Sequence, residues 1–345
     1  MDLLVLAGAL VVILAGAELF TNGVEWYGRK RGLGEGAVGS VLAAVGTAMP
    51  ETMIPLVAIV FSPSATSDAV GIGAILGAPF MLATLAMFVT GLGVLGFRRR
   101  RPSGTVVAID AGVILHDTRG FFVSYAVAIG VAFLPAGLEP VKLVAAVVLV
   151  LYYGRYVLRH LGAEAAEHES ELAPLRLGAI DRQAQPDDPR LAMVVIQVIL
   201  SLGLIVAGAW LFVGAVERVS TALGVDEVLL SLIIAPIATE LPEKFNSIIW
   251  VRQGKDTLAL GNITGAMVFQ SAIPVAIALV FAPTAWVAGP GTMTAFLSAG
   301  IAIVSLASVL LPLARRGRMT GRGMLVGGAW YLLYLAIVVA VVAVG

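Results

Sequence analysis

The chain has 345 residues, of which 59% are hydrophobic and 13% charged, whereas soluble domains are nearer half apolar and a quarter charged. Its 22 Lys and Arg residues balance 22 Asp and Glu residues, which argues against a nucleic-acid partner. The absence of cysteine excludes disulfides, thiolate metal sites and cysteine nucleophiles. So much apolar surface needs lipid as its solvent, and we therefore expect an integral membrane protein.

Ten apolar stretches are long enough to cross a bilayer, which takes about 20 residues. In chain order they cover residues 2–24, 34–61, 69–96, 117–136, 139–158, 191–215, 226–251, 257–282, 289–313 and 323–344. Each must be a helix, because unpaired backbone groups cannot face hydrocarbon. The apolar run 3–17 of the first stretch follows Asp2 rather than a basic residue, so we predict a retained helix and not a signal peptide.

The basic residues predict the orientation of these helices. Nineteen of the 22 Lys and Arg residues fall in loops on one side, and only Lys142 and Arg218 fall on the other. Since basic loops stay in the cytoplasm, both termini are predicted outside and the polar segment 159–190 inside. We expect the inner (plasma) membrane of a prokaryote. Lys244 belongs to neither set because it lies within a span.

Two halves of the chain match each other, residues 1–158 and 191–345, with 159–190 as a cytoplasmic linker of mostly solvated charge. At an offset of 192, the segment 15–20 matches 207–212, Val24-Glu25 matches Val216-Glu217, and 47–51 matches 239–243. After a four-residue adjustment, Asp68 matches Asp256, and the glycine pairs at 73 and 77 and at 261 and 265 also match. Each half has five spans, an odd number, so the second half enters the membrane inverted. Inverted repeats are typical of secondary transporters.

The second and seventh spans carry buried acid beside proline, as Thr47-x-x-Pro50-Glu51 and Thr239-x-x-Pro242-Glu243. A carboxylate in hydrocarbon is costly, so it marks a cavity or a cation. Proline removes a hydrogen bond, which predicts broken helices 2 and 7. The carbonyls freed in this way belong to Gly46 and Ala238. Two such faces would form an all-oxygen site for a hard divalent cation such as Ca²⁺.

The predicted fold is an all-α membrane protein of ten transmembrane helices in two inverted five-helix repeats. Glycines four apart in the third and eighth spans would let those helices press against the broken ones.

With these motifs in view, the chain resembles the calcium/cation antiporter superfamily, which contains the sodium/calcium exchangers. The family pattern G-T-S-x-P-E resembles residues 46–51 and 238–243, and G-N-x-x-G-S-N resembles the glycine segments, above all 256–265. The resemblance implies exchange of Ca²⁺ against Na⁺ or H⁺, with no cofactor. It implies Glu51 and Glu243 as principal metal ligands, with oxygens from Thr47 and Thr239.

Several positions depart from the family pattern. Ala48, Ala74, Ala78 and Leu82 stand where the first repeat usually has polar residues, which argues against ordinary three-sodium coupling. In the second repeat, Gln270 takes the position of Leu82. Asn262 is a further candidate ligand.

Glu240 and Lys244 are additions to the family pattern. They are four apart in the order that favours an ion pair. The pair could be neutral. Alternatively, Lys244 could act as an internal cation or release a proton, since the pKa of a desolvated lysine falls. As a third reading, Glu240 could join the cation site.

The leading functional hypothesis is a secondary active antiporter for Ca²⁺ or a similar divalent cation, with Na⁺ or H⁺ as the counter-ion. The alternatives are a Na⁺-independent monovalent cation/proton antiporter on the same scaffold and a non-transporting sensor. An enzyme is not expected, since no H-E-x-x-H motif and no Cys or His cluster is present. The expected partners are inorganic cations and the lipid bilayer.

Overall fold

The computed structural model describes residues 2–31, 49–62, 64–135, 137–163, 172–180, 188–289, 292–316 and 318–344. Most of these residues are helical. The helices are α1 (Asp2–Lys30), α2 (Met49–Leu56), α3 (Ala65–Met81), α4 (Met87–Gly96), α5 (Ala111–Gly130), α6 (Glu139–Ala163), α7 (Leu191–Leu223), α8 (Glu227–Arg252), α9 (Asp256–Gln270), α10 (Ile273–Phe281), α11 (Met293–Arg316), α12 (Gly321–Met324) and α13 (Val326–Val344). Wider π-helical turns continue α2 over Val57–Phe61 and join α3 to α4 over Leu82–Ala86. Short 3₁₀ helices cover Val131–Phe133 and Arg176–Ile180.

Seven helical stretches in the described part of the chain are long and apolar enough to cross a membrane. They are Asp2–Lys30, Ala65–Gly96, Glu139–Arg159, Leu191–Leu223, Asp256–Phe281, Met293–Leu310 and Gly321–Val341. Shorter apolar helices cover Glu51–Phe61 and Glu227–Ile237. Each of the ten segments predicted from the sequence contains a helix over its described residues. The prediction of a helical membrane protein is confirmed.

The helices α1 and α7 form a close antiparallel pair. A Cβ added at Gly16 would lie 2.8 Å from the Ile205 side chain, and one added at Gly208 would lie 2.7 Å from the Ile13 side chain. The two contacts are reciprocal, because 13 and 205, like 16 and 208, differ by the same 192 residues. Only glycine permits backbones to approach this closely at both places.

The helix α3 packs along α8 in the same direction. A Cβ added at Gly73 would lie 2.3 Å from the carbonyl oxygen of Val228, and one added at Gly77 would lie 2.2 Å from that of Leu232. The prediction that these glycines let the third span press against the seventh is confirmed. For Gly261, in contrast, nothing among the described residues lies within 4 Å of an added Cβ.

A buried ion pair ties the loop after α4 to the start of α9. Both side chains, of Arg101 and Asp256, are fully buried, and two guanidinium nitrogens each donate to a carboxylate oxygen at 2.6 Å. The backbone N–H of Ala108 also donates to Asp256, at 2.7 Å. Beside this pair, the strands β1 (Val106–Val107) and β2 (Met319–Thr320) form a two-residue antiparallel ladder. Residues from both halves of the chain therefore join at this end of the helices.

The predicted break in helix 7 is wrong. The helix α8 continues from Glu227 to Arg252 with two prolines, Pro236 and Pro242, inside it. A proline removes one backbone hydrogen bond, but in an apolar helix packed by neighbours the ladder resumes on either side of it. For helix 2, the predicted break falls partly outside the described residues. The described part of α2 begins at Met49, with Pro50 in its first turn.

Candidate cation site

Glu51 lies in the first turn of α2 with only 7% of its surface exposed. An acid near a helix N-terminus is favoured by the helix dipole, which offsets part of the penalty of its burial. The predicted partners from the same repeat, Gly46 and Thr47, lie outside the described residues. Glu51 is therefore buried, as the sequence predicts, and its role as a cation ligand stays a prediction.

Two oxygen-bearing side chains are buried in the middle of α8. Thr239 is 2% exposed and Glu240 is 1% exposed. The hydroxyl of Thr239 donates to the carbonyl oxygen of Ala235 at 3.0 Å, which leaves the lone pairs of the hydroxyl oxygen available to a cation. The side chains of Glu243 and Lys244 lie outside the described residues, so the predicted pairing of Glu240 with Lys244 stays a prediction.

The helix α9 contributes an amide oxygen at its C-terminal end. Gln270 is 2% exposed, and its Oε1 has no hydrogen-bond partner among the described residues. A buried amide oxygen without a donor is destabilising by about 1–3 kcal/mol, so a cation at this place would relieve the penalty. Carboxylate and carbonyl-type oxygens are the ligands that Ca²⁺ prefers. Asn262, two turns earlier, is half-buried.

The three helices that carry these groups pack in series, α2 against α8 and α8 against α9. Within the described ranges, no three His, Asp or Glu side chains form a cluster that could hold a metal ion. The described part of the site therefore consists of separate acid, hydroxyl and amide oxygens on touching helices.

Three positions of the first repeat at which the family pattern has polar side chains are apolar and buried. Ala74, Ala78 and Leu82 are at most 6% exposed. Ala48, the fourth departure from the family pattern, lies outside the described residues. At Ala74 and Ala78 in α3, and at Leu82 in the π-helical turn that follows it, no side-chain oxygen is available to an ion.

A buried acid outside the predicted motifs lies between α5, α6 and α9. Asp117 is 1% exposed, and its two oxygens accept hydrogen bonds from the hydroxyls of Tyr156 at 2.8 Å and Thr264 at 2.7 Å. The span was predicted to start at residue 117, which made this acid a flanking residue. The helix in fact begins at Ala111, because the side chain of Asp110 caps it by accepting from the N–H groups of Gly112 and Val113. That N-cap was the available sequence signal.

The burial of Arg101 and Asp256 was also missed. In the sequence, Arg101 belongs to a run of four arginines that reads as a solvated loop. Its guanidinium instead donates to the carbonyl oxygens of Gly104, Val106 and Val251 as well as to Asp256. Glu18, in contrast, is a peripheral acid: it is 67% exposed and accepts a hydrogen bond from Arg176 at 2.8 Å.

Apolar helices with acids buried between them are typical of membrane proteins that transport ions. The chain belongs to the family described as sodium/calcium exchanger protein, which matches residues 1–162 and 193–343. This places it in the calcium/cation antiporter superfamily, as the motifs indicate. The family is one of cation exchangers, so the prediction of a transporter rather than an enzyme is confirmed.

Two relatives match over most of the chain. A protein of Alkalimonas amylolytica named "Putative antiporter CaxA" is 26% identical over 336 residues, which cover 94% of this chain and 96% of the relative. An uncharacterized membrane protein of Methanocaldococcus jannaschii is 20% identical over 257 residues, 74% of each chain.

Solved structures of cation exchangers share the fold. The crystal structure of the H⁺/Ca²⁺ exchanger CAX gives a TM-score of 0.68 at 17% identity, covering 99% of this chain and 86% of that one. The sodium-calcium exchanger NCX_Mj gives a TM-score of 0.58 at 17% identity, covering 97% of both chains.

Proposed function

We propose that this protein is a secondary active antiporter that exchanges Ca²⁺, or a similar divalent cation, against Na⁺ or H⁺. The observation that carries the proposal is the burial of Glu51 and Glu240 inside apolar helices, at 7% and 1% exposure. Acids at this depth are costly unless a cation, a proton or a hydrogen-bond donor meets them. In a family of cation exchangers, buried acids of this kind are the expected ligands of the transported ion.

The proposed architecture has ten transmembrane helices in two inverted repeats, residues 1–158 and 191–345, joined by the linker 159–190. The reciprocal contacts of α1 and α7 support it, since Gly16 meets Ile205 as Gly208 meets Ile13. Helix directions support it as well. If the halves are inverted, the first and sixth spans must be antiparallel and the third and seventh parallel. The contacts of α1 with α7 and of α3 with α8 have these directions.

In the proposed site, Glu51 and Glu243 are the principal ligands. Further oxygens come from the side chains of Thr47, Thr239, Glu240, Asn262 and Gln270 and from the carbonyls of Gly46 and Ala238. Support comes from the burial of Glu51, Thr239, Glu240 and Gln270 and from the orphaned oxygen of the glutamine. The orientation predicted from the basic residues places the linker in the cytoplasm of a prokaryotic cell.

Three buried apolar residues favour H⁺ as the counter-ion. A sodium site needs several oxygens, and Ala74, Ala78 and Leu82 offer none from their side chains. Protonation of a carboxylate needs no additional ligand. We therefore expect the acids that bind the divalent cation to bind protons on the return step.

Uptake of ⁴⁵Ca²⁺ into proteoliposomes under an imposed H⁺ or Na⁺ gradient tests the proposal. Wild-type protein should transport under the H⁺ gradient with Na⁺ omitted. Glu51→Gln and Glu243→Gln should lower uptake by about 100-fold or more, since removing one partner of a buried charge interaction costs about 3–5 kcal/mol.

Glu18→Gln is the matched control. Because this glutamate is exposed, the variant should transport Ca²⁺ like the wild type. Wild-type protein that moves no Ca²⁺ under either gradient would refute the divalent antiporter. Rubidium or sodium flux in the same vesicles would then identify the monovalent alternative, and no flux at all would favour a sensor.

A further inference from the structure

One hydrogen bond joins the end of α7 to the start of α3. The hydroxyl of Ser67 donates to Oε1 of Glu217 at 2.8 Å. Ser67 is 4% exposed and lies within the N-terminal turn of α3, where Ser64 caps the helix and donates to its hydroxyl at 2.9 Å. By the predicted orientation, this contact lies on the outer side of the membrane.

The repeat match identifies the equivalent of this contact on the other side. Val216-Glu217 corresponds to Val24-Glu25, and Asp68 corresponds to Asp256, so Ser67 corresponds to Lys255. Glu25 lies near the end of α1, and Lys255 directly precedes α9. The equivalent of Ser67 with Glu217 is therefore Lys255 with Glu25, a pair of opposite charges.

This second contact is not made in the described structure. Glu25 is half-buried and Lys255 is exposed, and among the described residues neither forms an ion pair within 4.0 Å. The guanidinium groups nearby in the sequence face aromatic rings: Arg29 lies 5.1 Å from the Trp26 ring centre, and Arg252 lies 5.8 Å from that of Phe97.

We propose that Glu25 and Lys255 form a salt bridge in the opposite conformation of the transport cycle, in which the contact of Ser67 with Glu217 is released. The inference rests on the proposed alternating access. The proposed movement treats α1 and α7, which pack through reciprocal glycine contacts, as one unit that tilts against α3 and α9. A tilt of that unit separates α7 from α3 on one side and brings α1 to α9 on the other. The described structure is then the state closed on the outer side.

Disulfide trapping tests this directly, because the chain contains no cysteine. We would introduce Glu25→Cys with Lys255→Cys, or Ser67→Cys with Glu217→Cys, oxidise membranes with copper phenanthroline and count the remaining thiols by maleimide-PEG gel shift. Glu18→Cys with Lys255→Cys is the control for the first pair, because residue 18 lies two turns, about 10 Å, from residue 25 along the helix.

Both symmetric pairs should form disulfides, each faster than the control, and reduction should restore any transport that oxidation stops. The decisive variant adds Ser67→Ala to the Glu25 and Lys255 cysteines. Removing the outer contact should speed the inner disulfide several-fold. An inner pair that reacts no faster than the control, or whose rate is unchanged or lowered by Ser67→Ala, would overturn the proposal.

Thiol counting does not depend on flux, so the two proposals can fail separately. Disulfides of the expected pattern in a protein that moves no Ca²⁺ would uphold the paired contacts and refute the divalent antiporter. Ca²⁺ transport without the inner disulfide would uphold the divalent antiporter and refute the paired contacts. As a second measurement, Glu25→Lys and Lys255→Glu should each slow transport, and the two together should recover most of it.

Discussion

Substituting Gly77 by alanine should destabilise the protein through one contact that can be calculated from the structure. The added Cβ would lie 2.2 Å from the carbonyl oxygen of Leu232 and 2.7 Å from the ring of Pro236. Carbon and oxygen atoms in contact need about 3.3 Å, so α3 and α8 would have to separate by about 1 Å. Because the obstacle is helix backbone and not a flexible side chain, we expect a loss near the upper end of overpacking effects, about 3 kcal/mol.

The same substitution at Gly203 provides the matched control. This glycine lies in the interior of α7, and an added Cβ meets nothing within 4 Å among the described residues. The alanine variant should be about 0.5–1 kcal/mol more stable, because alanine loses less backbone freedom than glycine when a helix forms. The fraction of monodisperse protein after heating in detergent, followed by size-exclusion chromatography, gives the apparent Tm. We expect Gly77→Ala to lower the Tm by about 5 °C and Gly203→Ala to leave it unchanged or raise it. A Tm for Gly77→Ala equal to that of Gly203→Ala would refute the close packing of α3 on α8.

Two further predictions concern charged residues. Arg101→Met and Asp256→Leu should each destabilise the protein by about 3–5 kcal/mol in the same heating assay, because a buried charge loses its partner. The double variant should recover much of this lost stability. A double variant whose destabilisation equals the sum of the two single effects would contradict the prediction. If Lys244 acts as an internal cation, Ca²⁺ uptake without Na⁺ should be present in the wild type and lost in Lys244→Leu. Equal Na⁺-free uptake by the two proteins would assign that lysine a neutral pairing role instead.

Hydropathy and length predicted the helices because both report directly on what lipid requires of a backbone. The glycine contacts at Gly73 and Gly77 were predictable for the same reason, since small residues four apart mark a face on which helices approach. The repeat match placed Glu51 and its equivalent in helices, and the burial of Glu51 follows from the apolar sequence around it.

The features that the sequence did not reveal depend on contacts between distant segments. Arg101 is buried because Asp256 meets it 155 residues later, and a run of arginines carries no sign of that encounter. Asp117 is buried because α5 starts six residues earlier than hydropathy indicated. The break predicted in α8 failed because local proline chemistry does not include the neighbouring helices that hold the chain in a helix on both sides.

The contacts across the two halves also bear on how this protein is made. Gly73 and Gly77 of the first half fit against α8 of the second, and Arg101 finds its carboxylate only in α9. During synthesis, the first half therefore reaches the membrane before the surfaces that complete it have been translated. Until then, the guanidinium of Arg101 has no carboxylate partner and the face with Gly73 and Gly77 is not covered by α8. Expressed as separate polypeptides, the two halves should accumulate only when they are produced together.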